Sequence, residues 1–216
     1  MVKIQNSSTR LSDTDLLSIE KALKLELPAD YREFMLSHNG GEPEPRWFAF
    51  PPLSEDHEEG GFDRIQCFYS VFLPPPDDFE IRDFRTTVEH FRSECELPKK
   101  YAPIALTMEN VVVLACAGAD RGRVFYWSDI EAGFEISFLV PLADSFDAFL
   151  NSLGYPTSAP WMEMIDRGDV AALRQWLESG GLAQEDDEQT GFSPWSYADF
   201  ACQLEASELL SEWKGG

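Results

Sequence analysis

The sequence predicts an α+β protein with a small, all-helical C-terminal extension. Three observations carry this expectation. Amphipathic helical patterns sit near the start, four strand-like segments crowd between Pro98 and Val140, and the patterning turns purely helical beyond Gly154. The chain has 216 residues, 44% of them hydrophobic, with 16 Phe and 6 Trp, which supplies a core despite a net charge of −22.

The elements follow in order. Leu16, Ile19 and Leu23 mark one helix face, and Ser12 with Asp15 three residues on forms a capping box. A second helix opens near Pro28, whose missing N–H has no intrahelical partner there. Tyr31, Phe34 and Met35 form its apolar stripe. Asn39-Gly40-Gly41 ends it with residues that reach the left-handed region cheaply. The segment from Glu42 to Gly61 is rich in Pro, Gly and acids and reads as loop, with Trp47–Phe50 a short strand. Phe62 to Leu73 reads as one strand, broken by Pro74-Pro75-Pro76. Asp77 or Asp78 is the expected cap of a third helix carrying Phe84, Val88 and Phe91.

Four strands are expected at Ile104–Leu106, Val111–Ala117, Arg123–Ser128 and Glu135–Val140, with a turn at Ala117–Gly122. The nearly continuous apolar run V-V-V-L-A-C-A fits a central strand covered on both faces. Ser145–Leu153 closes this region as a helix. The linker G-Y-P-T-S-A-P then divides the chain into expected domains 1–155 and 156–216.

Charge and absent motifs narrow the function. Asp and Glu number 39 against 17 Lys and Arg, and residues 158–216 alone carry 12 acids and 3 bases. Such a field repels nucleic acid and anionic membranes and attracts basic partners. No apolar run approaches the ~20 residues of a membrane span. The N-terminus lacks the apolar segment of a signal peptide, so a cytoplasmic location and free thiols at Cys67, Cys95, Cys116 and Cys202 are expected. His38, His57 and His90 have no metal-ligand spacing, and no nucleophile elbow or P-loop is present. Neither catalysis, cofactor nor metal is therefore expected. Tyr31, Trp47 and Trp127 read as core.

The string L-P-A-D-Y-R-E-F-M-L-S-H-N-G-G from Leu27 to Gly41 resembles the signature of the SUKH superfamily. Glu20 stands where that family has a glutamate in its first helix. Leu97-Pro98 with Tyr101-Ala102-Pro103-Ile104-Ala105, Asp120 to Trp127, and Asp144 to Leu150 resemble its later motifs. The turn Thr107-Met108-Glu109-Asn110 departs from its usual pattern. The resemblance implies a largely antiparallel sheet flanked by helices. Glu20, Leu27, Pro28, Tyr31, Phe34, Asn39, Gly40, Gly41, Gly122 and Trp127 are its motif positions, mainly structural. In the tail, Gly168 to Gly180 and Gly191 to Ala198 resemble ankyrin units, with Ser193, Trp195 and Ser196 departing from the pattern.

The superfamily includes fungal regulators of cell-wall synthesis and many bacterial immunity proteins. The resemblance, with the charge, implies a protein-binding domain that neutralises a cognate basic toxin, such as a nuclease. The alternative it implies is a regulatory scaffold for endogenous proteins. The expected partner-binding residues are Glu55, Asp56, Glu58, Glu59, Asp77 and Asp78, with the tail run Glu185, Asp186, Asp187 and Glu188.

Overall fold

The computed structural model describes residues 2–53, 60–74, 76, 80, 82–108, 110–128, 134–188 and 190–213. The chain divides into two compact units, Met1–Gly154 and Tyr155–Gly216.

In the first unit, helix α1 (Asp13–Leu23) begins at the expected capping box. Ser12 Oγ accepts the Asp15 N–H (3.2 Å), and the Asp15 carboxylate accepts the Ser12 N–H (2.9 Å). Bonds from the Ser12 side chain and backbone hold the Asp15 carboxyl below its ordinary value. Lys24, in the left-handed region, ends the helix. Pro28 then serves as N-cap of α2 (Ala29–His38), which stops at left-handed Asn39. Leu16, Ile19, Leu23, Tyr31, Phe34 and Met35 are all buried, as their helical spacing requires.

Strands β1 (Lys3–Gln5) and β2 (Glu42–Glu44) form one small antiparallel pair, and β3 (Trp47–Phe50) with β4 (Gly61–Arg64) another. The main sheet is an antiparallel meander in the order β5 (Cys67–Phe68), β6 (Tyr101–Leu106), β7 (Val111–Ala115), β8 (Val124–Trp127) and β9 (Leu139–Ala143). The apolar run is indeed the centre: every residue of β7 is buried. Its alternate residues feed two cores, because successive side chains point to opposite faces. Val112 and Leu114 join the large core made with α1 and α2, and with α4 (Phe146–Ser152). Val111, Val113 and Ala115 join a second core with Phe91, Leu97, Tyr101 and Trp127.

Three expectations need correction. Phe62–Leu73 is not one strand: it changes sheets at Ile65-Gln66. The Ile65 N–H bonds to Arg46 O, whereas the Gln66 N–H bonds to Leu106 O. So β4 belongs to one pair and β5 to the main sheet. Helix α3 (Phe84–Glu94) is capped by Asp83, not by Asp77 or Asp78, because Asp83 Oδ1 accepts the Thr86 N–H. Within the expected strand Glu135–Val140, Ile136–Phe138 make a 3₁₀ turn, and β9 runs on through Pro141. An edge strand tolerates a residue without an N–H.

The second unit is helical. It comprises α5 (Trp161–Asp166), α6 (Val170–Glu178), α7 (Pro194–Phe200) and α8 (Leu204–Glu212). Asp169 caps α6 through the Ala172 N–H. Ser193 and Ser196 close a capping box on α7, with Pro194 in the first turn. Among the described residues, no helix is long and apolar enough to cross a membrane.

Candidate partner-binding site

The motif residues build a frame. Glu20, 8% exposed, spans the corner between α1 and α2. Its Oε1 accepts the Leu27 N–H (2.8 Å), and its Oε2 pairs with Arg32 Nη1 (2.5 Å). Arg32 also reaches Asp13 Oδ1 (2.9 Å). Tyr31 and Phe34 pack against Phe146, with centroids 4.9 and 5.0 Å apart. The Tyr31 hydroxyl is buried and has no hydrogen-bond partner among the described residues, and burial raises its pKa. Leu27, Pro28, Trp47 and Trp127 are buried too, so Tyr31, Trp47 and Trp127 are core, as expected.

Asn39-Gly40-Gly41 does more than stop a helix. The Asn39 side chain is fully buried and donates to Thr9 O (2.7 Å) and Val71 O (2.9 Å), while its Oδ1 accepts the Val71 N–H (2.7 Å). It thereby ties three chain segments together. A Cβ on Gly40 would stand 2.3 Å from Ser70 Oγ and 2.8 Å from Phe68 O, and its φ of +75° also favours glycine. Gly122 (φ +96°) closes the β7–β8 turn through its N–H to Ala115 O.

Three aspartates outside the expected site residues are equally structural. Asp30 Oδ2 accepts the N–H groups of Phe146 (2.8 Å) and Asp147 (3.2 Å), holding the start of α4 beside α2. Asp63, 4% exposed, accepts from the Tyr126 hydroxyl (2.8 Å), which accepts from Asn110 Nδ2 (3.0 Å). Asp83 accepts from Thr86 and Phe72. Asp30 stands in the Leu27–Gly41 motif string, whereas the signal of Asp63 and Asp83 is only that Asp caps and turns are common. Their long-range partners leave no local trace.

Of the acidic residues expected to meet a partner, Glu55, Asp56, Glu58, Glu59, Asp77 and Asp78 lie outside the described residues. The tail run lies in the loop between α6 and α7. Glu185, Asp186 and Glu188 are exposed, and Asp187 is half-buried. Asp187 is partly committed: its Oδ1 accepts the Thr190 N–H (2.9 Å), and its backbone pairs with Phe192 and Gly191.

Glu185, Asp186 and Asp187 border an open depression of about 420 Å³ whose walls include Trp161, Trp176 and Leu182. Packing of α5 on α6 brings the two tryptophans to it. Gly181 seats the Trp176 indole, since a Cβ there would lie 2.5 Å from the ring. Leu182 is 59% exposed. Carboxylates beside the half-buried Trp176 indole suit a cationic side chain, through charge-assisted hydrogen bonds and cation–π attraction, while Trp161, 4% exposed, backs the wall. Among the described residues, no group of three His, Cys, Asp or Glu side chains is placed to hold a metal ion. The thiols of Cys67 and Cys116 are buried and pushed up by that burial, Cys116 to about 12, so neither is an activated nucleophile.

The family model of the SMI1 / KNR4 family (SUKH-1) matches residues 10–152. The chain belongs to this family. The match runs from just before α1 to the end of α4, over most of the first unit. Membership in SUKH-1 supports a protein-binding or immunity-type domain in general terms. The buried Glu20–Arg32 corner and the Asn39 knot are what the SUKH motif residues build in this chain. The acidic, tryptophan-lined depression lies outside the matched range. No curated protein matches the chain.

Proposed function

We propose that this SUKH-1 chain is a non-enzymatic binding protein, an immunity protein that captures and neutralises a basic toxin of the nuclease kind. SUKH-1 membership over residues 10–152 carries the reading. The net charge of −22 supports it, because a strongly acidic surface speeds encounter with a cationic partner. The tail depression supplies a contact chemistry: Glu185 and Asp186 meet a lysine or arginine while Trp176 covers its stem. Glu55, Asp56, Glu58, Glu59, Asp77 and Asp78 contribute to the same negative net charge. Occlusion of the toxin's substrate groove needs no catalytic group in the inhibitor.

The test is co-expression with basic nuclease-type toxin domains, followed by kinetics on any purified pair; a toxin gene found beside this chain's gene supplies the first candidate. Growth is rescued, and the complex survives gel filtration. Raising salt slows association, since exposed charges are screened over ~8–10 Å. The double variant Glu185→Lys, Asp186→Lys lowers the on-rate about tenfold. No rescue together with no complex overturns the reading. Salt-insensitive capture of a housekeeping enzyme replaces it with the scaffold role.

A further inference from the structure

The first unit of this acidic protein contains a cationic trough. Two adjoining open depressions, of about 660 and 710 Å³, share Leu17, Glu20, Glu26 and Arg121 and run along the α1–α2 corner beside the β7–β8 turn. The acids in the lining are already matched. Glu20 pairs with Arg32, and Glu26 pairs with Arg121 at 3.0 Å. The remaining charges are Lys21, Lys24 and Lys99, all exposed. No ion pair holds any of these three among the described residues. The trough therefore presents three unopposed ammonium groups in a chain of net charge −22.

The fold places them deliberately close. Lys24 is the left-handed residue that ends α1, so the lysines of its last turn gather at the corner. Arg92, from α3, donates to Leu23 O (2.7 Å) and to Lys99 O (3.2 Å). That double bond pattern pins the end of α1 to the loop before β6 and carries Lys99 to the same rim. Arg121 donates to Leu27 O (3.2 Å), fixing the opposite wall. Between the walls lies Leu17, 57% exposed on an otherwise polar helix face.

We propose that this trough binds an acidic peptide segment of a partner protein, with an apolar side chain of the segment seated on Leu17. Charge complementarity selects the segment: the lysines recognise carboxylates, and the surrounding acidic surface rejects partners that are anionic over a wide area. The long, open shape and the exposed leucine suit an extended chain. An enclosed small-molecule site buries most of its ligand, which this trough does not. The inference is independent of the toxin reading. It uses a different unit and the opposite charge, so either stands if the other fails.

The test uses the full chain and fluorescence anisotropy. The probes are a short fluorescein-labelled peptide rich in Glu and Leu, its Gln-for-Glu counterpart, and a single-stranded DNA of matched charge. The Glu peptide binds and the Gln peptide does not. The variant Lys21→Glu, Lys24→Glu, Lys99→Glu weakens binding about thirtyfold, while its far-UV circular dichroism stays that of the wild type because all three residues are exposed. Leu17→Ser weakens the Glu peptide and leaves any residual DNA binding unchanged. Equal binding of both peptides, or no effect of the triple variant, overturns the proposal. DNA bound as tightly as the Glu peptide makes the trough a general polyanion site and overturns the peptide class. Self-association abolished by the triple variant, with no peptide binding, assigns the trough to a second copy of this chain.

Discussion

Asn39 combines the work of a helix stop with that of a strand partner. Its backbone sits at φ 51°, which Asn tolerates better than most residues. Its amide meanwhile serves Thr9 and Val71 in a site with no water access. Asn39→Ala leaves the Val71 N–H and two carbonyls unmatched. Each buried orphan costs about 1–3 kcal/mol, so a loss of about 3 kcal/mol is expected. Tyr31, on the same helix, is the opposite case. Its hydroxyl has no partner among the described residues, so Tyr31→Phe removes a desolvated polar group and is neutral or slightly stabilising, within about 0.5 kcal/mol. Urea midpoints at constant slope measure both. If Asn39→Ala unfolds at the wild-type midpoint, the knot is not what holds these segments.

At the scale of elements, the separation between legible and hidden follows the range of the interaction. Helices α1 and α4 are read correctly because their caps, Ser12–Asp15 and Ser145, sit within three residues of the bonds they make. The buried centre of β7 is read from its own composition. The sheet change at Ile65 is hidden, since it depends on Arg46 and Leu106, far away in sequence. The candidate site divides in the same way. The run Glu185–Glu188 is visible as composition, but its neighbours Trp161 and Trp176 come from the packing of α5 on α6. Helix α3 shows how a nonlocal partner overrides a local signal. Asp77 and Asp78 are as good caps as Asp83 by residue type, and Asp83, besides capping α3, accepts the Phe72 N–H (2.9 Å). Asp83→Ala orphans both donors and is expected to cost about 2–3 kcal/mol. Asp83→Asn keeps one carbonyl acceptor and retains about half of that. Hydrogen exchange at the Thr86 and Phe72 amides reads the effect directly. Protection at both falls together in Asp83→Ala, and independent behaviour of the two amides would show that one carboxylate does not join them.

The whole molecule responds to alkali through its core rather than its surface. Burial raises the thiol of Cys116 from 9.0 to about 12, and raises the Cys67 thiol and the Tyr31 and Tyr69 phenols. All four are protonated in the folded state at neutral pH. The unfolded chain releases the same protons earlier, near pH ~8.5 for cysteine and ~10 for tyrosine. Above those values the unfolded state binds fewer protons than the native state, so stability falls as pH rises. The contribution of Cys116 is fully present below about pH 8.5 and is lost up to its folded value of about 12. The slope reaches ~1.4 kcal/mol per pH unit for each fully titrating group. A net charge of −22 grows more negative in the same range as lysines lose their protons, and that repulsion also destabilises the fold. Salt separates the two causes, because it screens surface repulsion and leaves buried groups largely untouched. Urea midpoints between pH 8 and 11 at high salt therefore fall steeply for the wild type. Cys116→Ala starts lower at pH 8 by about 1 kcal/mol, from the cavity it leaves. Its decline is then shallower, because one buried proton has been removed from the balance. Parallel declines for the two proteins would place the alkaline sensitivity elsewhere.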